Sequence, residues 1–208
     1  MTDTHSPFFV IQDFISPLMC ETLVDNLNCY EPDTDKNDHP ISSSVHHDKN
    51  EGITYNALQD HIDAIRDHFR VDYRGMEKIN FEWYPHACEQ ADVRCENAVY
   101  VRNTWVRNQD RDLTGILFFS DYQDNIPFDS NYEVYGGKVE FPQWGFGFNP
   151  QRGTLIVFPS GPHFLNAVNT IYAGDSFLAR FHIACQAPFV FQPANFPGSY
   201  TDWFADTV

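Results

Sequence analysis

From residue 78 to residue 185 the chain does not sustain a helical repeat. It runs through "KINFEWYP", "AVYVRNTWV", "LTGILFFSDY", "EVYGGKVEF", "TLIVFPS" and "SFLARFHIA", short apolar or alternating stretches broken by Gly, Pro, Asn or Asp. Runs of this length and period, bounded by turn residues, predict strands. The aromatic content of 16%, mostly Phe and Tyr, points the same way, because aromatic and β-branched side chains suit a pleated, half-buried surface.

The first third reads differently. "PFFVIQDF" predicts a strand and "SPLMCETLVDNLN" a helix, with Ser16 as N-cap, Pro17 at the first helical position, and Leu18, Leu23, Val24 and Leu27 on one face. Residues 30–54 are polar and turn-rich and predict a long surface loop. Leu58, Ile62, Ile65 and Phe69 recur at helical spacing and predict a second helix, with His61 and His68 on its polar side. Two helices followed by many short strands give an α+β fold whose bulk is a sandwich or small barrel. No repeat, low-complexity tract or linker divides the chain, so its 208 residues, 42% hydrophobic, predict one domain spanning 1–208. The aromatic, proline-rich tail "APFVFQPANFPGSYTDWF" is expected to pack back over the sheet.

A formal net charge of −16 argues against nucleic acid as a partner, since phosphate neutralisation needs clustered Lys and Arg. Arg102, Arg107 and Arg111 form the one basic strip. Five scattered cysteines without a CxxC pattern predict free thiols. The N-terminus has no basic region, and no segment reaches the roughly 18 apolar residues of a membrane span. The expectation is a soluble, cytoplasmic protein without a membrane partner. Composition leaves the oligomeric state open.

The order "LTGILFFSDY", "YGGKVEFP", "FNPQRGTLIVFPS", His163 and "AGDSFLARFHI" resembles the iron(II)/2-oxoglutarate-dependent oxygenases, in particular their prolyl-4-hydroxylase-like branch. The opening "PFFVIQDFISPLMCETLV" is similar to that family's usual start, so the resemblance spans roughly residues 7–185. It implies a double-stranded β-helix, a jelly-roll core with the two N-terminal helices packed on one sheet. It also implies iron(II) on two His and one carboxylate, with 2-oxoglutarate and O₂ in the open positions. The implied activity is hydroxylation of a peptide or small polar substrate.

The site motifs depart from that pattern. Where His-x-Asp/Glu would stand, the sequence has Arg94-Cys95-Glu96. Glu96 matches the carboxylate, but a guanidinium has no lone pair for a metal. His86 in "YPHACEQ" is the alternative donor. Asn166 aligns with the distal histidine, and His163 stands three residues earlier. The cosubstrate's basic partner aligns with Ser176, and Arg180 lies on the same face of the strand, able to pair with a carboxylate. The resemblance therefore implies His163, Glu96 and His86 as metal ligands and Arg180, Ser176 and Asn166 as cosubstrate contacts. Arg94 would orient the substrate. Two readings stay open: an oxygenase with rearranged ligands, or a non-catalytic β-helix that has lost iron and serves as a binding or structural module.

Other candidates are weaker. His46-His47-Asp48 contains a formal His-x-Asp, but within the predicted loop. Asp121, Asp124, Asp129 and Glu133 offer hard oxygens without an EF-hand spacing. Trp105, Trp144, Tyr135 and Phe146 are candidate walls for a groove, with core packing as the competing reading.

Overall fold

The computed structural model describes residues 5–31, 33–35, 41–127 and 131–197. A short strand, β1 (Phe9–Ile11), leads into helix α1 (Pro17–Leu27). The Ser16 hydroxyl accepts the Met19 N–H at 3.2 Å, as its N-cap position predicts. The buried face is Cys20, Leu23, Val24 and Leu27, whereas Leu18, expected on that face, is 72% exposed.

Residues 30–54 are not loop throughout. They contain β2 (Ser43–Val45) and the start of α2 (Asp48–Gln59). The helix begins here because the His47 imidazole accepts the Asn50 N–H at 3.1 Å, and Asp48 and Glu51 place negative charge at its N-terminus. Its buried face uses polar residues, which an apolar repeat does not reveal. Asn50 is fully buried, donating to the Leu23 carbonyl at 2.9 Å and accepting from Asn26 at 2.8 Å, and so joins α2 to α1. The single second helix expected around Leu58–Phe69 is in fact two, since the chain turns at Asp60 and His61 before α3 (Ile62–Phe69). His68 is not a surface residue. Its ring lies 4.6 Å from that of Phe9, and its Nε2 is 2.8 Å from the Ser6 carbonyl, because the N-terminal segment crosses over it.

Strands β3 (Tyr73–Met76) and β4 (Asn80–Tyr84) open the sheet-forming part. A hairpin follows, β5 (Ala98–Val101) and β6 (Thr104–Arg107), then β7 (Leu113–Phe118), β8 (Asp121–Tyr122) and β9 (Glu133–Gly136). The remainder is β10 (Val139–Phe141), β11 (Phe146–Phe148), β12 (Leu155–Pro159), β13 (Ala167–Val168), β14 (Ile171–Gly174) and β15 (Ser176–Cys185). The main sheet runs β1-β12-β7-β15-β4-β2, with β3 paired to the far end of β15; every pairing in it is antiparallel. Two three-stranded sheets, β11-β10-β13 and β14-β9-β8, complete a jelly-roll-like α+β fold.

The period-2 alternation of β15 divides the core. Phe177, Ala179, Phe181 and Ile183 face the helices and pack with Leu23, Leu58, Ile65 and Phe69. Leu178, on the other face, packs with Val139, Phe141, Val168 and Ile171 of the smaller sheets. Three helices, not the expected two, thus pack against this face of the main sheet. In the tail, Phe196 joins the helix-side core and Phe191 stacks on it at 5.6 Å. Residues 198–204 of that predicted strip, and Asp129, lie outside the described residues. All five cysteines are free thiols. No helix among the described residues is long and apolar enough to cross a membrane.

Gly153 joins the N-terminal segment to β12. Its φ is +79°, and a Cβ there would meet the Ile15 carbonyl oxygen at 2.3 Å. Gly153→Ala combines left-handed strain with a backbone clash, and should lower unfolding free energy by about 1–3 kcal/mol. Urea denaturation measures this; an unchanged midpoint would contradict the docking described.

Candidate functional site

The inner face of β15 carries Ser176, Leu178, Arg180 and His182 in turn, so a polar end follows directly on an apolar core. Arg180 is 2% exposed. Its Nε donates to Glu82 Oε1 at 2.9 Å, and its Nη1 donates to Glu96 Oε1 at 2.9 Å and to Asn166 Oδ1 at 3.1 Å. Glu82 reaches it from β4, where the register sets Glu82 opposite Leu178 and so diagonal to Arg180. The Tyr84 hydroxyl, two residues on, donates to Glu82 Oε2 at 2.8 Å.

Arg94 and Asn166 exchange both backbone hydrogen bonds, at 2.9 and 3.1 Å, which sets their side chains beside one another. The Arg94 Nη2 donates to both Glu82 oxygens, at 3.0 and 2.9 Å, while its Nε lies 3.3 Å from Glu96 Oε1. Asn166 Nδ2 donates to that same Glu96 oxygen at 3.2 Å. His182 closes the cluster. Its Nδ1 is 3.2 Å from the Thr114 hydroxyl, which meets the Ser160 hydroxyl at 2.7 Å, and its Nε2 is 3.8 Å from Glu96 Oε2.

Two guanidinium groups face two carboxylates, so the cluster is electrically balanced without a ligand. Burial alone would raise the Glu82 carboxyl; the charges of Arg180 and Arg94 outweigh it and bring the pKa down to about 2. Glu96 is lowered by the same guanidinium groups against the same desolvation. Burial disfavours the charged form of His182 and lowers it to about 4 despite the nearby Glu96. His182 is therefore neutral at neutral pH.

The sequence-predicted residues divide into two sets. Arg94, Glu96, Asn166 and Arg180 are brought together, but as partners of one another. Arg180 was expected to take a cosubstrate carboxylate; the carboxylates it takes are the protein's own. Ser176 sits apart, opposite Tyr84, with its buried Oγ lacking a hydrogen-bond partner. His163 and His86 do not join Glu96. His163 is exposed on the short helical turn Pro162–Phe164, its ring 5.4 Å from that of Phe191 and its carbonyl accepting from Trp144 Nε1 at 2.7 Å. His86 is exposed, and its backbone N–H donates to Asp175 at 2.7 Å. Among the described residues the one trio of His, Cys, Asp or Glu ligand atoms within 4.8 Å of each other is His46, Asp48 and Glu51. That trio is largely exposed at the start of α2, and the Lys78 ammonium lies 3.4 Å from His46 Nε2.

Iron(II) does not fit these donors. The position beside Glu96 holds a guanidinium, the position across from it an amide, and the Glu96 oxygen between them already accepts from Arg180 and Asn166. Nor does 2-oxoglutarate fit at Arg180, whose Nε and Nη1 are committed to internal carboxylates. Glu82, Tyr84, Thr114 and Ser160 were missed from sequence. The signal for Glu82 was an acid at an inward position of the apolar run "INFEWY", but its partner lies 98 residues away.

No family model and no curated protein matches the sequence. Solved structures do match in fold, and those compared below are prolyl hydroxylases. The viral collagen prolyl hydroxylase of Paramecium bursaria Chlorella virus-1, in complex with 2-oxoglutarate, has a TM-score of 0.62 at 13% identity, covering 88% of this chain and 97% of that one. A prolyl-4-hydroxylase of Pseudomonas putida has 0.58 at 14% identity, covering 89% and 95%. A Trichoplax adhaerens prolyl hydroxylase bound to a hypoxia-inducible-factor peptide has 0.58 at 14%, covering 86% and 83%. The chain thus shares the prolyl hydroxylase fold; at this identity the likeness extends to fold alone.

The cluster makes stability pH-dependent. A histidine held at about 4 when folded, against an ordinary 6.5, binds fewer protons folded than unfolded, so its stabilisation is complete above pH 6.5 and is lost as pH falls towards 4. His68, lowered to about 4 by burial, adds to the same window. The depressed carboxylates lose theirs only below about 4.5. Urea midpoints should therefore fall from pH 7 to pH 5, and His182→Asn should flatten that slope. A wild-type midpoint constant from pH 7 to 4 would rule out buried, neutral histidines.

Proposed function

We propose that this chain is a double-stranded β-helix domain that does not carry iron and works as a binding module for a peptide segment, not as an oxygenase. The observation that carries the reading is the fully buried Arg180 guanidinium between Glu82 and Glu96. The family pattern sets imidazoles at 94 and 166, where this chain has a guanidinium and an amide, and the alternative donors His86 and His163 are exposed and do not join Glu96.

A groove near the cluster supports the binding side of the proposal. It measures about 320 Å³ and is lined by Trp105, Pro162, His163, Phe189, Val190 and Phe191 among others. One wall belongs to the β5–β6 hairpin, whose turn is made by Arg102 and Asn103 at φ +49° and +65°, the conformation a two-residue hairpin turn requires. This hairpin exposes Val99, Tyr100, Val101, Trp105 and Val106, with the Tyr100 and Trp105 rings 5.2 Å apart. Exposed apolar residues concentrated in this way mark interaction surfaces. Arg107 and Arg111 of the basic strip are bonded to Asp112 and Glu77, at 2.9 Å and 2.7 Å, so the surface is mainly apolar. The Trichoplax neighbour with its bound peptide makes a peptide the natural ligand class to test first.

Anaerobic titration with iron(II) and 2-oxoglutarate tests the first half. The wild type should show neither the charge-transfer band of the chelate nor a thermal shift. A saturable band abolished by His163→Ala and by Glu96→Ala would restore the oxygenase reading. Selection from a displayed peptide library tests the second half: selected peptides should bind Trp105→Ala at least about tenfold more weakly, the loss of one aromatic anchor. Equal binding by the variant would remove the groove from the proposal.

A further inference from the structure

We infer that the C-terminal strap, residues 186–196, is an acid-released wall of the peptide groove, latched at neutral pH by the paired rings of His5 and His68. This deepens the reading above and rests on it only for what the groove holds. The strap carries no charged residue and borders two cavities. One is the groove of about 320 Å³ beside Trp105. The other, of about 340 Å³, is lined by His5, His68, Arg70 and Asp72, and Pro188, Phe189 and Val190 line both. The middle of the strap is therefore thinly packed, the condition under which a segment opens without the rest of the fold. It is held at discrete points. The Gln186 N–H donates to the Asp72 carbonyl at 2.8 Å, the Phe189 N–H donates to the Asp112 carboxylate at 2.8 Å, and Phe196 reaches the helix-side core.

From the latch to the groove the rings form one ladder. His68 lies 4.4 Å from His5, His5 stacks on Phe196 at 5.2 Å, Phe196 stacks on Phe191 at 5.6 Å, and Phe191 lies 5.4 Å from His163. Both latch rings donate from Nε2, His5 to the His68 carbonyl at 2.9 Å and His68 to the Ser6 carbonyl at 2.8 Å, since a carbonyl only accepts. A second proton on each ring sets two like charges 4.4 Å apart. Little nearby offsets them. Among the described residues neither ring has an ion-pair partner; Asp72 borders their cavity without pairing with them, and Arg70 adds positive charge there. Arg66, on the same helix, is paired with Asp63 and Asp67. At the groove end the strap faces His163, and Arg107 and Asp112, which pair with each other. Burial of His68, then the charge of His5, lower its pKa from 6.5 to about 4. The latch is thus complete above pH 6.5 and is lost as pH falls towards 4. On that linkage pH 5 favours the released strap about twentyfold more than pH 7 does.

Hydrogen–deuterium exchange on the full chain at pH 7 and pH 5, corrected for the intrinsic pH dependence of exchange, reads the strap and the sheet separately. At pH 5 the strap amides should lose at least about tenfold of their protection, while β7 and β15 keep theirs. His5→Gln combined with His68→Gln keeps a donor for each carbonyl but takes up no charge, and its strap should lose less than about twofold. Unchanged strap protection in the wild type, an equal loss in the double variant, or a loss shared by β7 and β15 overturns the inference. If the double variant does not fold, the wild type decides. The His68 ring resonances should titrate over the pH range in which the strap amides open, and a His68 midpoint above about 6 overturns the latch. Peptide selection that fails at every pH would instead remove the functional reading and leave the strap result standing, so the two failures are separable.

Discussion

The buried Arg180 guanidinium is the constraint around which this molecule is arranged. Removing an ion from water costs several kcal/mol, and attraction to a partner at about 4 Å returns a comparable amount at the effective dielectric of a protein. Arg180 is tolerable because two carboxylates meet it and Asn166 accepts a further bond. Those partners come from β4, from the segment before β5 and from the segment before β13, so one side chain bonds three parts of the chain at once. It also penalises strand slippage. Shifting β15 by one residue would turn Arg180 toward Phe81 and Leu117 and set Phe181 among the acids.

The division of β15 into two faces explains how an apolar fold carries this polar end. Toward the helices the strand is uniformly apolar, and Phe181 packs so closely over Gly115 that a Cβ there would fall 2.1 Å from its ring. Toward the smaller sheets the strand changes from Leu178 to Arg180 and His182. The charged residues therefore lie at one end of the inner layer, beside the hairpin and the Pro162–Phe164 turn. The prolyl hydroxylase fold is retained in outline, while the donors that its resemblance led one to expect are replaced by internally matched charges. A rigid, self-neutralised cluster is suited to holding an exposed surface in place, which accords with the proposed binding role.

Some of the molecule was legible in the sequence for local reasons. Ser16 and Pro17 started α1, and the switch from helical to alternating apolar spacing located the strands, because capping and pleat periodicity act over a few residues. The second helix departs from its expected bounds because α2 buries the polar Asn50 and Thr54 and is capped by His47, and the pairing of Asn50 depends on α1. The family resemblance singles out Arg94, Glu96 and Asn166, with Arg180 as a substitute for the aligned Ser176, but not the bonds these side chains make with one another. Glu82 passed unremarked, since an acid within an apolar strand becomes meaningful only when its cation is known.

The sequence by itself determined the α+β class, the strand-rich second half and the absence of imidazoles at 94 and 166. These depend on residue type and near-neighbour spacing. Only the tertiary structure decided that Arg180 spends its hydrogen bonds inward, that His163 turns to an aromatic groove, and that Glu82 completes the cluster. Each of those outcomes is a choice among partners far apart in the chain, and burial makes the choice: away from bulk solvent, a charge is stable only beside a counter-charge within the fold.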